Sequence, residues 1–107
     1  MAVVQLEVTD LLVRLGEKDA PFLLDVREPH EFEYARIEGS ELIPLNQIPL
    51  RFNELDPLKE VVVICHHGIR SQQAAFFLDH QGFKHVLNLA GGIDAWSREC
   101  DPNIKRY

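Results

Sequence analysis

The run Cys65-His66-His67-Gly68-Ile69-Arg70-Ser71 places a thiol one and two residues from two imidazoles and five from a guanidinium. Such a set suits nucleophilic chemistry, because nearby positive charge favours the reactive thiolate over the thiol. The four residues before it, Val61-Val62-Val63-Ile64, are β-branched throughout and show no polar alternation. That is the pattern of a central strand covered on both faces. Cys65 then stands at the carboxyl end of a strand, where open α/β sheets bind their ligands. The helix expected after it supplies unpaired N–H groups and the positive end of its dipole. If the loop curls so that successive amides point at the sulfur, it forms a cradle for negative charge. On this pattern alone, an inert cysteine buried at a strand end accounts for the residues equally well.

Metal binding by Cys65, His66 and His67 is disfavoured. Adjacent residues leaving a strand point in different directions, whereas structural zinc sites use spaced pairs. His30, His80 and His85 lack such spacing and read as exposed polar residues. Neither a metal nor a cofactor is expected. Cys100, the other cysteine, lies near a C-terminus expected to be loose and reads as a bystander, not a resolving thiol.

The elements that must position this loop form an alternating pattern, which predicts an α/β fold with a mainly parallel central sheet flanked by helices. Strands are predicted at 22–26, 41–44, 61–64 and 85–89, with a further short one near 3–6. A first helix is expected from Thr9 as N-cap, with Leu11, Leu12 and Leu15 on one face and Gly16 at its end. Another covers 28–34 with Pro29 just inside its start, where a missing N–H costs nothing. Ser71 is expected to cap a helix that turns Ala74, Ala75, Phe77 and Leu78 to the sheet and stops at Gly82. A last short helix spans 92–99, and a weaker pattern, interrupted by Pro49, covers 46–55.

At 107 residues the chain has the size of one domain, taken as residues 1–107. Folding at this size buries roughly 60% of the unfolded surface, enough without disulfides or metals. Apolar residues make up 46% and charged residues 26% of the chain, as in ordinary globular proteins. The net charge of −6 argues against nucleic acid or an anionic membrane surface as partner. Any anionic substrate must be drawn by a local field. No segment reads as a signal peptide or membrane span, so a cytoplasmic location is expected.

Three motifs in order resemble the rhodanese-like family across nearly the whole chain. Asp25-Val26-Arg27, with Glu31-Phe32 and Ile37-Glu38-Gly39-Ser40, resembles its first-strand motif. Cys65 to Ser71 is similar to its active-site loop, and Leu89-Ala90-Gly91-Gly92 with Trp96 resembles its double-glycine turn and helix. The resemblance implies a sulfurtransferase in which Cys65 takes sulfane sulfur from thiosulfate or a related donor and passes it on as a persulfide. The acceptor is a thiol, cyanide or a partner protein. His66, His67, Gly68, Ile69, Arg70 and Ser71 then bind substrate, with Arg70 orienting an anionic donor and the histidines shaping the entrance. Asp25, Arg27 and Glu31 are expected to form a structural charged network, and Gly91 and Gly92 to lie beside the loop.

The chain departs from the family at Ala35-Arg36, where Gly-His is frequent, and at His66, where many active members carry arginine. Neutral imidazoles supply less positive charge than a guanidinium. Two alternatives remain at this point: a non-catalytic module that binds or regulates a partner, and a phosphatase or arsenate reductase. Four residues separate Cys65 from Arg70, one fewer than the resemblance implies for the related phosphatases. The shorter loop suits a single sulfur better than a phosphoryl group.

Overall fold

A computed structural model describes residues 3–107. In chain order it contains β1 (Val4–Leu6), α1 (Val8–Leu15), β2 (Phe22–Asp25), α2 (Pro29–Tyr34), β3 (Glu41–Leu42), α3 (Ile48–Arg51), β4 (Val61–Ile64), α4 (Ile69–His80), β5 (Val86–Leu89) and α5 (Gly92–Glu99). All pairings are parallel, and the strand order is β1-β5-β4-β2-β3. The expected α/β fold with a parallel sheet between helices is what the chain adopts. No helix among the described residues is long and apolar enough to cross a membrane.

Strand alternation divides the interior in two. Leu23, Val62, Ile64, Leu87 and Leu89 pack with Leu11 of α1 and Ile93 and Trp96 of α5. Leu24, Val61, Val63 and Val86 pack on the other face with Ala74, Ala75 and Leu78 of α4 and Ile48 of α3. Every residue of β4 is buried, and each such side chain stabilises the fold by about 1.5–3 kcal/mol relative to exposure. The same alternation sends Cys65, in step with Val61 and Val63, to the α4 face. Cys100 packs against the opposite cluster. The two thiols therefore lie on different sides of the sheet.

Several boundaries differ from expectation for local reasons. The strand expected at 41–44 is only two residues long, because Pro44 has no N–H for a ladder. Ile43 and Leu45 nevertheless donate to the carbonyls of Asp25 and Val26 at 3.0 Å each. The 46–55 segment breaks into 3₁₀ turns on either side of α3, with Pro49 in the first turn of α3. Helix α1 begins at Val8 after Glu7, so Thr9 lies inside it. Helix α4 begins at Ile69 with Gly68, not Ser71, in the cap position. Gly68 takes φ 107°, a left-handed conformation that glycine tolerates best, and so turns the chain into the helix three residues early.

Candidate active site

Cys65 leaves β4 almost wholly buried, with its Sγ against the start of α4. The Gly68 N–H donates to Sγ at 3.0 Å, and the Ser71 hydroxyl lies 3.2 Å from it. At the thiol the expected row of amides is thus one amide and one hydroxyl. Ser71, freed from capping, is fully buried and donates in turn to Asn88 Oδ1 on β5. Asn88 Nδ2 donates to the Gly68 carbonyl at 3.2 Å and to Gln5 Oε1 at 2.9 Å. Gln5 and Asn88 were not anticipated, because a polar residue inside an apolar strand run does not reveal which loop it faces.

The glycine turn before α5 holds the loop from its other side. The N–H groups of Ile93 and Asp94 donate to the carbonyls of Cys65 and His66 at 2.9 and 3.0 Å. A Cβ on Gly92 would come within 2.4 Å of both carbonyl oxygens, and one on Gly91 within 2.6 Å of the Ala95 side chain. Gly91 and Gly92 also take positive φ, 78° and 60°. Close approach and backbone conformation therefore both require glycine here.

The charged residues form one chain of contacts. Asp25 and Arg27 are fully buried and paired: the carboxylate accepts from the Arg27 backbone N–H at 3.0 Å, from Nε at 2.9 Å and from Nη2 at 2.7 Å. Arg27 also donates to the carbonyls of Glu31 and Ala35, which ties β2 to α2. Glu31 closes the capping box of α2 and takes Arg70 in a two-pronged pair, at 2.6 and 2.9 Å. The Arg70 hydrogen bond, which outweighs burial, together with backbone and Tyr107 hydrogen bonds, holds the Glu31 carboxyl at about 2. Arg70, expected to orient an anionic donor, is paired with Glu31, its side chain part-exposed. Arginine and glutamate are 39 residues apart in sequence, and their pairing becomes visible only in the fold.

The expected loose C-terminus is docked. The Tyr107 hydroxyl accepts from Arg27 Nη1 at 2.7 Å and donates to Glu31 Oε2 at 2.9 Å. Burial first, and Glu31 in addition, push this phenol up to about 12 against the pull of Arg27. Its ring stacks on His66 at 3.8 Å and 9°, and His66 stacks on His67 at 4.0 Å and 28°. Burial, then the neighbouring His67, push His66 below the ordinary histidine value, against the backbone of Tyr107 and the charges of Asp94 and Glu31. Its Nε2 is buried without a hydrogen-bond partner, which further disfavours an imidazolium needing acceptors on both nitrogens. His67 and Ile69 stand exposed at the mouth of the loop.

His66, His67 and Asp94 bring one potential ligand atom each to within 4.8 Å of one another. The two imidazoles are stacked, so an ion in the plane of one ring lies outside the plane of the other. Asp94 already pairs with Arg98 at 3.2 Å and Arg106 at 3.4 Å. The arrangement favours a supported nucleophile over a coordination site.

Comparison with known proteins bears on this geometry. The family model described as a rhodanese-like domain matches residues 7–99. A protein of Allochromatium vinosum named sulfurtransferase is 38% identical over 100 residues, covering 94% of each chain. The rhodanese-like/PpiC domain-containing protein 12 of Arabidopsis thaliana is 44% identical over 93 residues; these cover 83% of this chain and 31% of that larger protein. The crystal structure of a rhodanese-related protein from Thermoplasma volcanium superposes with a TM-score of 0.85 at 32% identity, covering 97% of this chain and 99% of that one.

Proposed function

The chain belongs to the rhodanese-like domain family, and from that premise we propose that it transfers sulfane sulfur through a persulfide on Cys65. The observation that carries this reading is the seat of Cys65 Sγ, buried at the end of β4 and touched by the Gly68 amide and the Ser71 hydroxyl. The Cys65 thiolate attacks the outer sulfur of thiosulfate or a related donor, and the donor's S–S bond breaks with its electron pair on the departing sulfite or thiol. Donors at the start of α4 then stabilise the charge of the outer persulfide sulfur, as an oxyanion hole does for oxygen. A thiol, cyanide or a partner protein's nucleophile takes that sulfur and restores the thiolate. Gly91 and Gly92 keep the loop in shape, and Asp25, Arg27 and Glu31 act as its scaffold.

The test is steady-state sulfur transfer to cyanide, with aryl phosphate hydrolysis measured beside it. Wild type should transfer sulfur and leave the phosphate ester intact, and Cys65→Ser should lose transfer. Cys65-dependent phosphate hydrolysis without sulfur transfer would overturn the reading.

A further inference from the structure

Asn88 is buried on β5, in register with Val63 of β4 on one side and Gln5 of β1 on the other. Its amide has three partners: the Gly68 carbonyl, Gln5 Oε1 and the Ser71 hydroxyl. The Gly68 carbonyl settles which way round the amide sits. A carbonyl only accepts, so the atom 3.2 Å from it is Nδ2, and Oδ1 is left to face Ser71. Oδ1 has no proton, so the bond between these two side chains uses the hydroxyl proton of Ser71. A hydroxyl has only that one. Toward Cys65 Sγ, 3.2 Å away, Ser71 therefore presents a lone pair. This contact is a hydrogen bond only while Cys65 keeps its own proton and donates it to Ser71 Oγ. Of the two groups touching the sulfur, the Gly68 N–H supports the thiolate and the Ser71 hydroxyl supports the thiol.

Resting on the persulfide reading above, we propose that Asn88 is a positioning residue, which holds the Ser71 proton away from Cys65 and so favours the sulfur-loaded state over the bare thiolate. In the persulfide the negative charge lies on the outer sulfur, and Sγ carries neither proton nor charge. A hydroxyl turned toward Asn88 costs that state little. Release is different. The acceptor bonds the outer sulfur, the S–S bond breaks, and its electron pair returns to Sγ as a thiolate beside the Ser71 lone pair. A thiolate that is harder to form is a poorer leaving group, so release is slowed. Turning the hydroxyl to Sγ would leave Asn88 Oδ1 buried without a donor, which keeps the proton where it is.

The test is the pH dependence of Cys65 alkylation by iodoacetamide, read by peptide mass spectrometry in wild type, Ser71→Ala, Asn88→Leu and the double variant. The ionisable groups around the loop are Arg70 with Glu31, Arg27 with Asp25, His66 and His67 with Asp94, and Tyr107. Among the described residues, none of these hydrogen-bonds to the Ser71 or Asn88 side chain, so the substitutions leave them in place. Asn88→Leu frees the hydroxyl to donate to the thiolate, and below the midpoint of the profile the thiolate fraction should rise about 10-fold. Ser71→Ala should lower the midpoint while Asn88 is present and raise it once Asn88 is replaced by leucine. Loosening of the loop alone would change the limiting rate at high pH and leave the midpoint unmoved. Ser71→Ala removes a single buried oxygen and keeps the test decisive if Asn88→Leu does not fold. A midpoint that rises in Ser71→Ala alone would overturn the proposal, as would a wild-type midpoint in Asn88→Leu. Cyanide should also take sulfur from loaded Asn88→Leu faster than from loaded wild type, and equal or slower release would contradict the role in retention. Failure of all four proteins to load sulfur would refute the persulfide reading, while the alkylation midpoints would still decide the direction of the Ser71 proton.

Discussion

Arg27 and Arg70 are held by carboxylates in the same corner of the molecule, yet Arg27 is wholly buried and the side chain of Arg70 is 34% exposed. Arg27 spends its donors on Asp25 and two backbone carbonyls inside the fold and on the part-buried Tyr107 hydroxyl. Arg70 spends its donors on Glu31 at the mouth of the active loop. Identical ionic chemistry thus sits in two settings, one joining β2 to α2 and the other joining α2 to the start of α4. Burial separates them: a buried ion whose partner is removed has no water to replace it, whereas a half-exposed one does.

The largest expected effect follows from that difference. Asp25→Ala should destabilise the fold by about 3–5 kcal/mol, because Arg27 is then left charged and buried without its carboxylate. Urea denaturation would measure it, and a loss below about 1 kcal/mol would place Asp25–Arg27 among ordinary surface pairs. The pair was legible in sequence only through the family resemblance, which implied a structural charged network of Asp25, Arg27 and Glu31 without saying which carboxylate holds which arginine.

A smaller effect should come from acid. The Glu31 carboxyl is held at about 2 against an ordinary 4.5, so its contribution is complete above 4.5 and is lost as pH falls toward 2. The loss should be about 1–3 kcal/mol, with the exposure of Arg70 drawing it to the low end. Unfolding free energies of wild type and Glu31→Gln should therefore converge across that interval. A gap that stays constant would show that Glu31 contributes through packing and not through charge.

The smallest effect concerns Tyr107, which bridges the two arginine clusters by donating to Glu31 and accepting from Arg27. Tyr107→Phe removes both hydrogen bonds but keeps the stack on His66, and should cost about 1–2 kcal/mol. Tyr107→Ala should cost more and also expose the His66 ring. Equal losses in the two variants would show that the hydroxyl, not the ring, carries the contact.

The sequence revealed most where a pattern is local. The β-branched run at 61–64 can only be a covered strand, and it fixes Cys65 at the strand end and on one face of the sheet. The residues closing around that cysteine come from afar: Asn88 from β5, Glu31 from α2 and Tyr107 from beyond α5. None of them stands in a periodic pattern that points at the loop. Ser71 misled for a related reason. Its type favours a helix cap, but Gly68 turns the chain first and leaves the hydroxyl for Cys65 and Asn88. The segment after β3 was ambiguous because Pro49 permits a helix start but not a long helix through it.

The most direct test of the account is mass spectrometry of the intact protein after incubation with a sulfane-sulfur donor and removal of the excess. One added sulfur should appear, localise by peptide mapping to Cys65, and vanish on treatment with cyanide. Cys100, packed against the opposite core, should remain unmodified, and Cys65→Ser should gain no sulfur at all. Sulfur transfer to cyanide by a protein whose Cys65 never carries the added sulfur would contradict the account.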